Sequence, residues 1–198
     1  MNRSIGALAV AAALATALAI SPSVGANGGT ARATLRNAAG ADIGSVKFIT
    51  SRSATEVRVV LKPGSSVATA YHGFHIHANA DGAGCIADPA LASSTWFTAV
   101  GGHWKDGTQT HGQHLGDLAS VFVNADGSSS MRFTIDRFAV WQLAGRAVVL
   151  HAGPDNFGNV PVGANPDQYT ANSTDATTKT QNTGNAGDRI ACGIIAAS

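Results

Sequence analysis

Charge is scarce in this sequence. Only 13% of its 198 residues are charged, against about 25% in an average soluble domain. Glutamate occurs once, as Glu56. A helix-rich protein draws on Glu, Lys and Leu for its surfaces, so this composition excludes a helical bundle and leans towards strands and turns. Thirteen basic and twelve acidic residues leave a formal net charge of +1. That balance gives no electrostatic reason to bind nucleic acid or an acidic membrane. Internal repeats, runs of like charge and a linker are also lacking, and the length fits one domain. What is there in quantity is glycine, 23 residues, and apolar side chains, 44% of the chain. The second figure excludes intrinsic disorder.

Part of the hydrophobicity lies at the amino terminus. Arg3 precedes an uncharged apolar run over residues 5–20, which Ser21, Pro22 and Ser23 interrupt before Val24-Gly25-Ala26. A positive start, an apolar middle and small residues at the end read as a secretory signal peptide, residues 1–26, cut after Ala26. The run is short for a bilayer span, which needs about 20 residues, so a retained membrane anchor is disfavoured. Residues 27–198 then form the mature chain, with 12 basic and 12 acidic residues. It is expected to be secreted or held in the cell envelope or periplasm, without a membrane segment of its own.

Export bears on the two cysteines, Cys85 and Cys192. In an oxidising compartment an even pair favours a disulfide over two free thiols or soft metal ligands. A bridge across so long a loop stabilises a fold by about 4–5 kcal/mol in the chain-entropy model.

The mature chain carries strand periodicity. Val57, Val59 and Leu61 alternate with Arg58 and Lys62, with Val60 on the second face; Met131, Phe133 and Ile135 alternate with Arg132, Thr134 and Asp136. Period-2 alternation marks strands with one buried face. Turn signals stand at Asn37-Ala38-Ala39-Gly40, Lys62-Pro63-Gly64 and Asn124-Ala125-Asp126-Gly127. The last lies between Val121-Phe122-Val123 and Met131, which predicts a hairpin. The apolar run over 147–150 reads as a strand covered on both sides. Short strands at this spacing point to an all-β sandwich or barrel.

Two stretches break the pattern: 79–117, rich in Gly, Asp and His, and 154–188, rich in Asn, Thr, Asp and Gly. Loops this long in a compact domain are functional or disordered. All seven histidines, His72, His75, His77, His103, His111, His114 and His151, lie in or beside them. His75 and His77 flank Ile76, so on a strand both imidazoles project from one face and can reach one ion. His103, His111, His114 and Asp117 follow as three imidazoles and a carboxylate, a set that suits tetrahedral zinc. Any one of these histidines alone is better read as a hydrogen-bonding loop residue; their concentration favours metal.

With these segments in view, the chain resembles the copper-zinc superoxide dismutases of exported bacterial type. The resemblance rests on His72-Gly73-Phe74-His75-Ile76-His77, Gly101-Gly102-His103, His114-Leu115-Gly116-Asp117, His151 with Asp155, and 184–193 from Gly184 to Gly193. They occur in the family's order and cover most of the mature chain. The resemblance implies an eight-stranded Greek-key β-barrel or sandwich, immunoglobulin-like, with long metal-binding and electrostatic loops. It implies one copper on His75, His77, His103 and His151, and one zinc on His103, His111, His114 and Asp117, with His103 shared. Asp155 matches a carboxylate linking a copper-bound and a zinc-bound histidine, and His72 a structural histidine. Cys85 and Cys192 match the family's disulfide, and Arg189 the arginine that draws in the anionic substrate. The activity implied converts two superoxide anions and two protons to dioxygen and hydrogen peroxide.

Three departures from the family's pattern stand out. His111 and His114 are three residues apart, a shorter loop than usual; zinc closes there if Gly112 turns the chain sharply, and otherwise the protein works with copper alone. The segment between Cys85 and His103 is long, and its Trp96 and Phe97 read as local core or as a subunit contact in a homodimer. Residues 156–183 hold only Lys179 as a cation, against Asp167 and Asp175, which leaves the steering of superoxide mainly to Arg189. A secreted copper-buffering protein on the same fold is the rival reading, and an adhesion domain a weaker one. Retention of His103, Asp155 and Arg189 speaks against storage, which needs neither a bridge nor an anion guide.

Overall fold

The structure is a computed structural model that describes residues 29–156 and 174–198. The expected signal peptide lies outside the described residues, as does the middle of the second long loop. Ten strands are described: β1 (Thr30–Asn37), β2 (Asp42–Ser51), β3 (Ala54–Leu61), β4 (Tyr71–His72), β5 (Phe74–His77), β6 (Val121–Phe122), β7 (Ser129–Ile135), β8 (Ala147–His151), β9 (Arg189–Ile194) and β10 (Ala196–Ala197). One helix, α1 (Thr174–Thr183), precedes β9.

Eight of these strands form one curled antiparallel sheet in the order β5-β8-β9-β1-β2-β3-β7, with β10 also paired to β1. The short β4 and β6 form a second, two-stranded sheet. The chain meanders through β1, β2 and β3, then leaves for β4 to β6 before β7 returns to β3; this is Greek-key connectivity. The all-β class and barrel architecture read from the sequence are those observed.

Alternation sorts the side chains. Val57, Val59 and Leu61 are buried with Leu35, Val46, Phe48, Phe74, Ile76 and Leu150 in the main core, while Arg58 faces out and Val60 is exposed. β8 is buried at every position because both of its faces are covered. Val148 and Leu150 enter the main core; Ala147 and Val149 enter a second cluster with Phe97, Val100 and Cys192. Phe97 is therefore core, with half-buried Trp96 packed against the same cluster. The Cys85–Cys192 disulfide forms, pinning this long loop to β9 with a Cα–Cα distance of 5.6 Å.

Two expectations are corrected. Asn124 to Ser128 does turn tightly, with Asn124 N–H on the Ser128 carbonyl. No ladder follows, because β6 pairs with β4 and β7 with β3, and the Phe122 amide meets the Met131 sulfur instead of a carbonyl. The aperiodic stretch 154–188 contains α1, which its sequence does not announce. Its helicity comes from docking: Thr180 is buried, and the Gln181 carbonyl accepts a hydrogen bond from the His111 amide.

Candidate metal centre

β5 places Phe74 and Ile76 in the core and turns His75 and His77 to the opposite face. β8 runs beside it, pairing His75 with Val149 and His77 with Ala147, and ends at His151. Bridges His77↔His103 and His75↔Asp117 bring the first long loop over this face. Gly116 permits that approach, since a Cβ there would lie 2.1 Å from the Ile76 carbonyl oxygen.

Four imidazoles converge as a result: His75, His77, His103 and His151 each offer a ligand atom within 4.8 Å of the others. All four rings are buried. One nitrogen of each is tied down. His75 Nε2 is 2.8 Å from Asp155 Oδ1, and His77 Nδ1 is 2.8 Å from the Gly101 carbonyl. His103 Nδ1 is 2.9 Å from Asp117 Oδ1, and His151 Nδ1 is 3.0 Å from the Gly187 carbonyl. The remaining atoms, His75 Nδ1, His77 Nε2, His103 Nε2 and His151 Nε2, are buried without a hydrogen-bond partner. A buried acceptor left unsatisfied costs about 1–3 kcal/mol. Four such atoms on one small cluster fit a metal that takes nitrogen ligands, with each tautomer fixed from behind.

A second set adjoins the first. Ligand atoms of His75, His103, His111 and Asp117 also lie within 4.8 Å of one another. His114 stands outside that grouping, yet its Nδ1 is 3.3 Å from both His103 Nδ1 and Asp117 Oδ1. His111 Nδ1 is 3.3 Å from the same Asp117 oxygen. Ligands bound at about 2.0–2.1 Å around a tetrahedral ion lie roughly 3.3–3.4 Å apart, which the His114–His103, His114–Asp117 and His111–Asp117 distances match. The three-residue spacing of His111 and His114 lets both rings reach the same Asp117 oxygen. Gly112, at φ +90°, makes the sharp turn expected of it.

Asp155 joins the two sets, its Oδ1 lying 2.8 Å from His75 Nε2 and 3.6 Å from His111 Nε2, while Ser120 donates to its Oδ2. His72 offers no ligand atom to the cluster: its nitrogens meet the backbone carbonyls of His151 and Ala68 at 2.8 Å. Arg189 donates to the carbonyls of Phe97 and Gly101, both at 2.8 Å. Gly101 is also the acceptor of His77 Nδ1, so one carbonyl couples the arginine to the first set.

Arg137 was missed in the sequence, where it stands as a lone arginine after a strand. Its Nη1 and Nη2 donate to the His114 and Gly112 carbonyls, both at 2.9 Å. Asp117 Oδ2 accepts the amides of the same two residues. The short loop is thus held from both sides. Gly184 was quoted in the sequence only as part of a motif; a Cβ there would lie 2.4 Å from His111 Nε2. Arg137→Gln is expected to weaken zinc binding about tenfold, with copper content unchanged, as read by chelator competition.

Burial holds His75, His77, His103 and His151 below the ordinary imidazole range, with repulsion among the rings adding to it; His151 falls to about 4. Burial works against charge on His111 too, but the hydrogen bond and charge of Asp117 outweigh it and raise that ring. Bonds from His103 and His111 likewise overcome burial at Asp117 and hold its carboxyl far below the usual range. For the four depressed histidines the unfolded chain binds protons first, so their stabilisation is present above the unfolded histidine pKa of about 6.5 and is lost on acidification, while that of Asp117 is lost only below the unfolded aspartate pKa of about 3.9. His111, and Asp155, whose carboxyl is raised by burial, have the opposite sign and are outnumbered. The metal-free protein should therefore melt progressively lower as pH falls from about 7 to 4, and a flat profile by calorimetry would contradict these burials.

Fold and site together define a Greek-key barrel protein with a paired histidine–carboxylate metal centre. The chain belongs to the copper/zinc superoxide dismutase family, whose family model matches residues 43–195. It is 33% identical over 165 residues to a Cu-Zn superoxide dismutase of Mycolicibacterium paratuberculosis, covering 80% of this chain and 70% of that protein. A Mycobacterium tuberculosis Cu-Zn superoxide dismutase is 34% identical over 169 residues, with 82% and 68% covered. An extracellular Cu-Zn superoxide dismutase of Brugia pahangi is 29% identical, with 85% and 76% covered. Among solved structures, a double mutant of a SOD-like protein from Bacillus subtilis shares the fold, with a TM-score of 0.59 and 22% identity over 82% of this chain and 95% of that one.

Proposed function

We propose that this protein is an exported superoxide dismutase that disproportionates two superoxide anions, with two protons, to dioxygen and hydrogen peroxide. The observation that carries the reading is the set of four buried imidazole nitrogens without partners, on rings otherwise fully bonded. His75, His77, His103 and His151 hold copper; His103, His111, His114 and Asp117 hold zinc. Copper supplies one-electron redox chemistry on nitrogen ligands that suit both of its oxidation states, while zinc supplies charge and structure.

The chain's own residues do the rest. Arg189 keeps a permanent positive charge and is fixed at two carbonyls, so it attracts and orients a small anion without competing for protons. His103 Nε2 is the atom that takes up a proton and passes it to the forming peroxide. Asp155 holds His75 and His111 in one orientation. α1 covers the zinc side and adds a single cation, Lys179, so attraction of superoxide rests chiefly on Arg189. The disulfide and an extracellular relative support export, and residues 1–26 would direct it.

Native mass spectrometry of the disulfide-intact protein, loaded with both metals, tests the reading. One copper and one zinc per chain, with accelerated superoxide decay, are expected. Copper without decay would turn the reading to storage; copper with decay but no zinc would leave a copper-only enzyme.

A further inference from the structure

The outward face of β1, β2, β3 and β7 takes no part in the metal centre, and it carries an ordered row of cations. Strand registry aligns Arg32 with Lys47, Lys47 with Arg58, and Arg58 with Arg132. Neighbouring strands lie about 4.7–4.9 Å apart, so the four charges cross the sheet within roughly 15 Å. Like charges placed directly opposite one another destabilise a sheet. Here three such pairs follow in succession. Glu56 offsets part of the repulsion by pairing with Arg58 and Arg132. Among the described residues, Arg32 and Lys47 have no ion pair. Arg36 and Lys62 adjoin the same face, so, apart from Arg52 in the β2–β3 turn, its strands and their margins hold six cations against Asp42, Glu56 and Asp136. The other described carboxylates lie elsewhere, in loops, turns and α1. A nearly neutral protein has thus gathered half of its mature positive charge on one sheet face.

We infer that this row is a docking surface for a linear anionic polysaccharide, lying across the strands. The chemistry beside the row selects the polymer. On one side the aligned residues are Thr34, Ser45, Val60 and Ser130; on the other, Thr30 and Thr134 flank Ile49 and Glu56. Five hydroxyls beside four cations match a chain in which sulfates or carboxylates alternate with sugar hydroxyls. Arginine's fork suits such oxyanions. A polyphosphate has no hydroxyls between its charges, and a lipid surface would call for an apolar flank that only Val60 and Ile49 begin to offer. Among the described residues no ion pair or hydrogen bond joins Arg32, Lys47, Arg58 or Arg132 to a residue of the metal centre, and only the β7 end of the face, at Thr134, shares a pocket with His111 and Asp117. The inference concerns where the protein is held and does not rest on its activity.

The test uses the metal-loaded mature protein, with heparin oligosaccharide, polyphosphate and phosphatidylglycerol vesicles as probes. Heparin should bind most tightly, with affinity falling steeply as salt rises. R32Q/K47Q, at exposed or half-exposed positions without ion pairs, should bind heparin at least about tenfold more weakly and with a shallower salt dependence, its dismutase activity unchanged. R52Q, in the β2–β3 turn off the row, is the control and should bind as the parent does. Absence of heparin binding at low salt, equal loss in R52Q, or tighter binding to polyphosphate or vesicles would each overturn the inference.

Discussion

His103→Ala is expected to lower dismutase activity by about 10²–10⁴-fold while leaving copper near one per chain. His75, His77 and His151 stand on β5 and β8, so three of the four imidazoles of the first set survive on hydrogen-bonded strands. Of the four proposed zinc ligands, His103 alone also belongs to the first set, with Nε2 free towards the other three rings and Nδ1 bonded to Asp117 and 3.3 Å from His114. Its removal leaves zinc with two imidazoles and a carboxylate on a loop, and takes away the ring atom placed to deliver a proton. Zinc content should fall with the activity. Stoichiometry by native mass spectrometry and superoxide decay by stopped flow read the two effects separately. Activity within about tenfold of the parent would show that His103 carries no proton.

Removing the disulfide, as C85A/C192A, is expected to lower the melting temperature by roughly 10–20 °C. The bridge closes a loop of 107 residues, for which chain entropy gives about 4–5 kcal/mol, and a domain of this size loses about 2–4 °C per kcal/mol. A catalytic effect should accompany the thermal one. The amide of Phe97 donates to the Ile86 carbonyl, next to Cys85. Phe97 and Gly101 in turn hold Arg189, and Gly101 holds His77. Freed from β9, that segment no longer fixes the guanidinium, and activity per bound copper should fall about tenfold or more at temperatures where the variant is folded. Loss of stability with full activity per copper would mean that the loop keeps its shape without the bridge.

Much of this was legible in the sequence because the informative residues obey short-range rules. Period 2 placed His75 and His77 on one face, and it also put Val57, Val59 and Leu61 inside. Motif order brought His103, His111, His114, Asp117, His151 and Asp155 together across long separations. What escaped depends on tertiary contact. α1 has no apolar stripe, and it is helical because Thr180 and Gln181 dock against the site. Arg137 carries no local signal, since its function lies in two carbonyls more than twenty residues upstream. The missing β6–β7 ladder has the same origin: the turn residues were read correctly, but each strand found a longer-range partner.

The two halves of the centre are mounted differently. One has three of its imidazoles on strands of the barrel, whereas the other hangs on residues 103–117, shaped by Arg137 and Asp117. Stress should therefore reach the halves in sequence. As temperature or acidity rises, the loop-borne half lets go first and the strand-borne half persists until the barrel itself opens. Damage to this protein would then have an order, passing through a zinc-depleted species that still carries copper before it ends in unfolding.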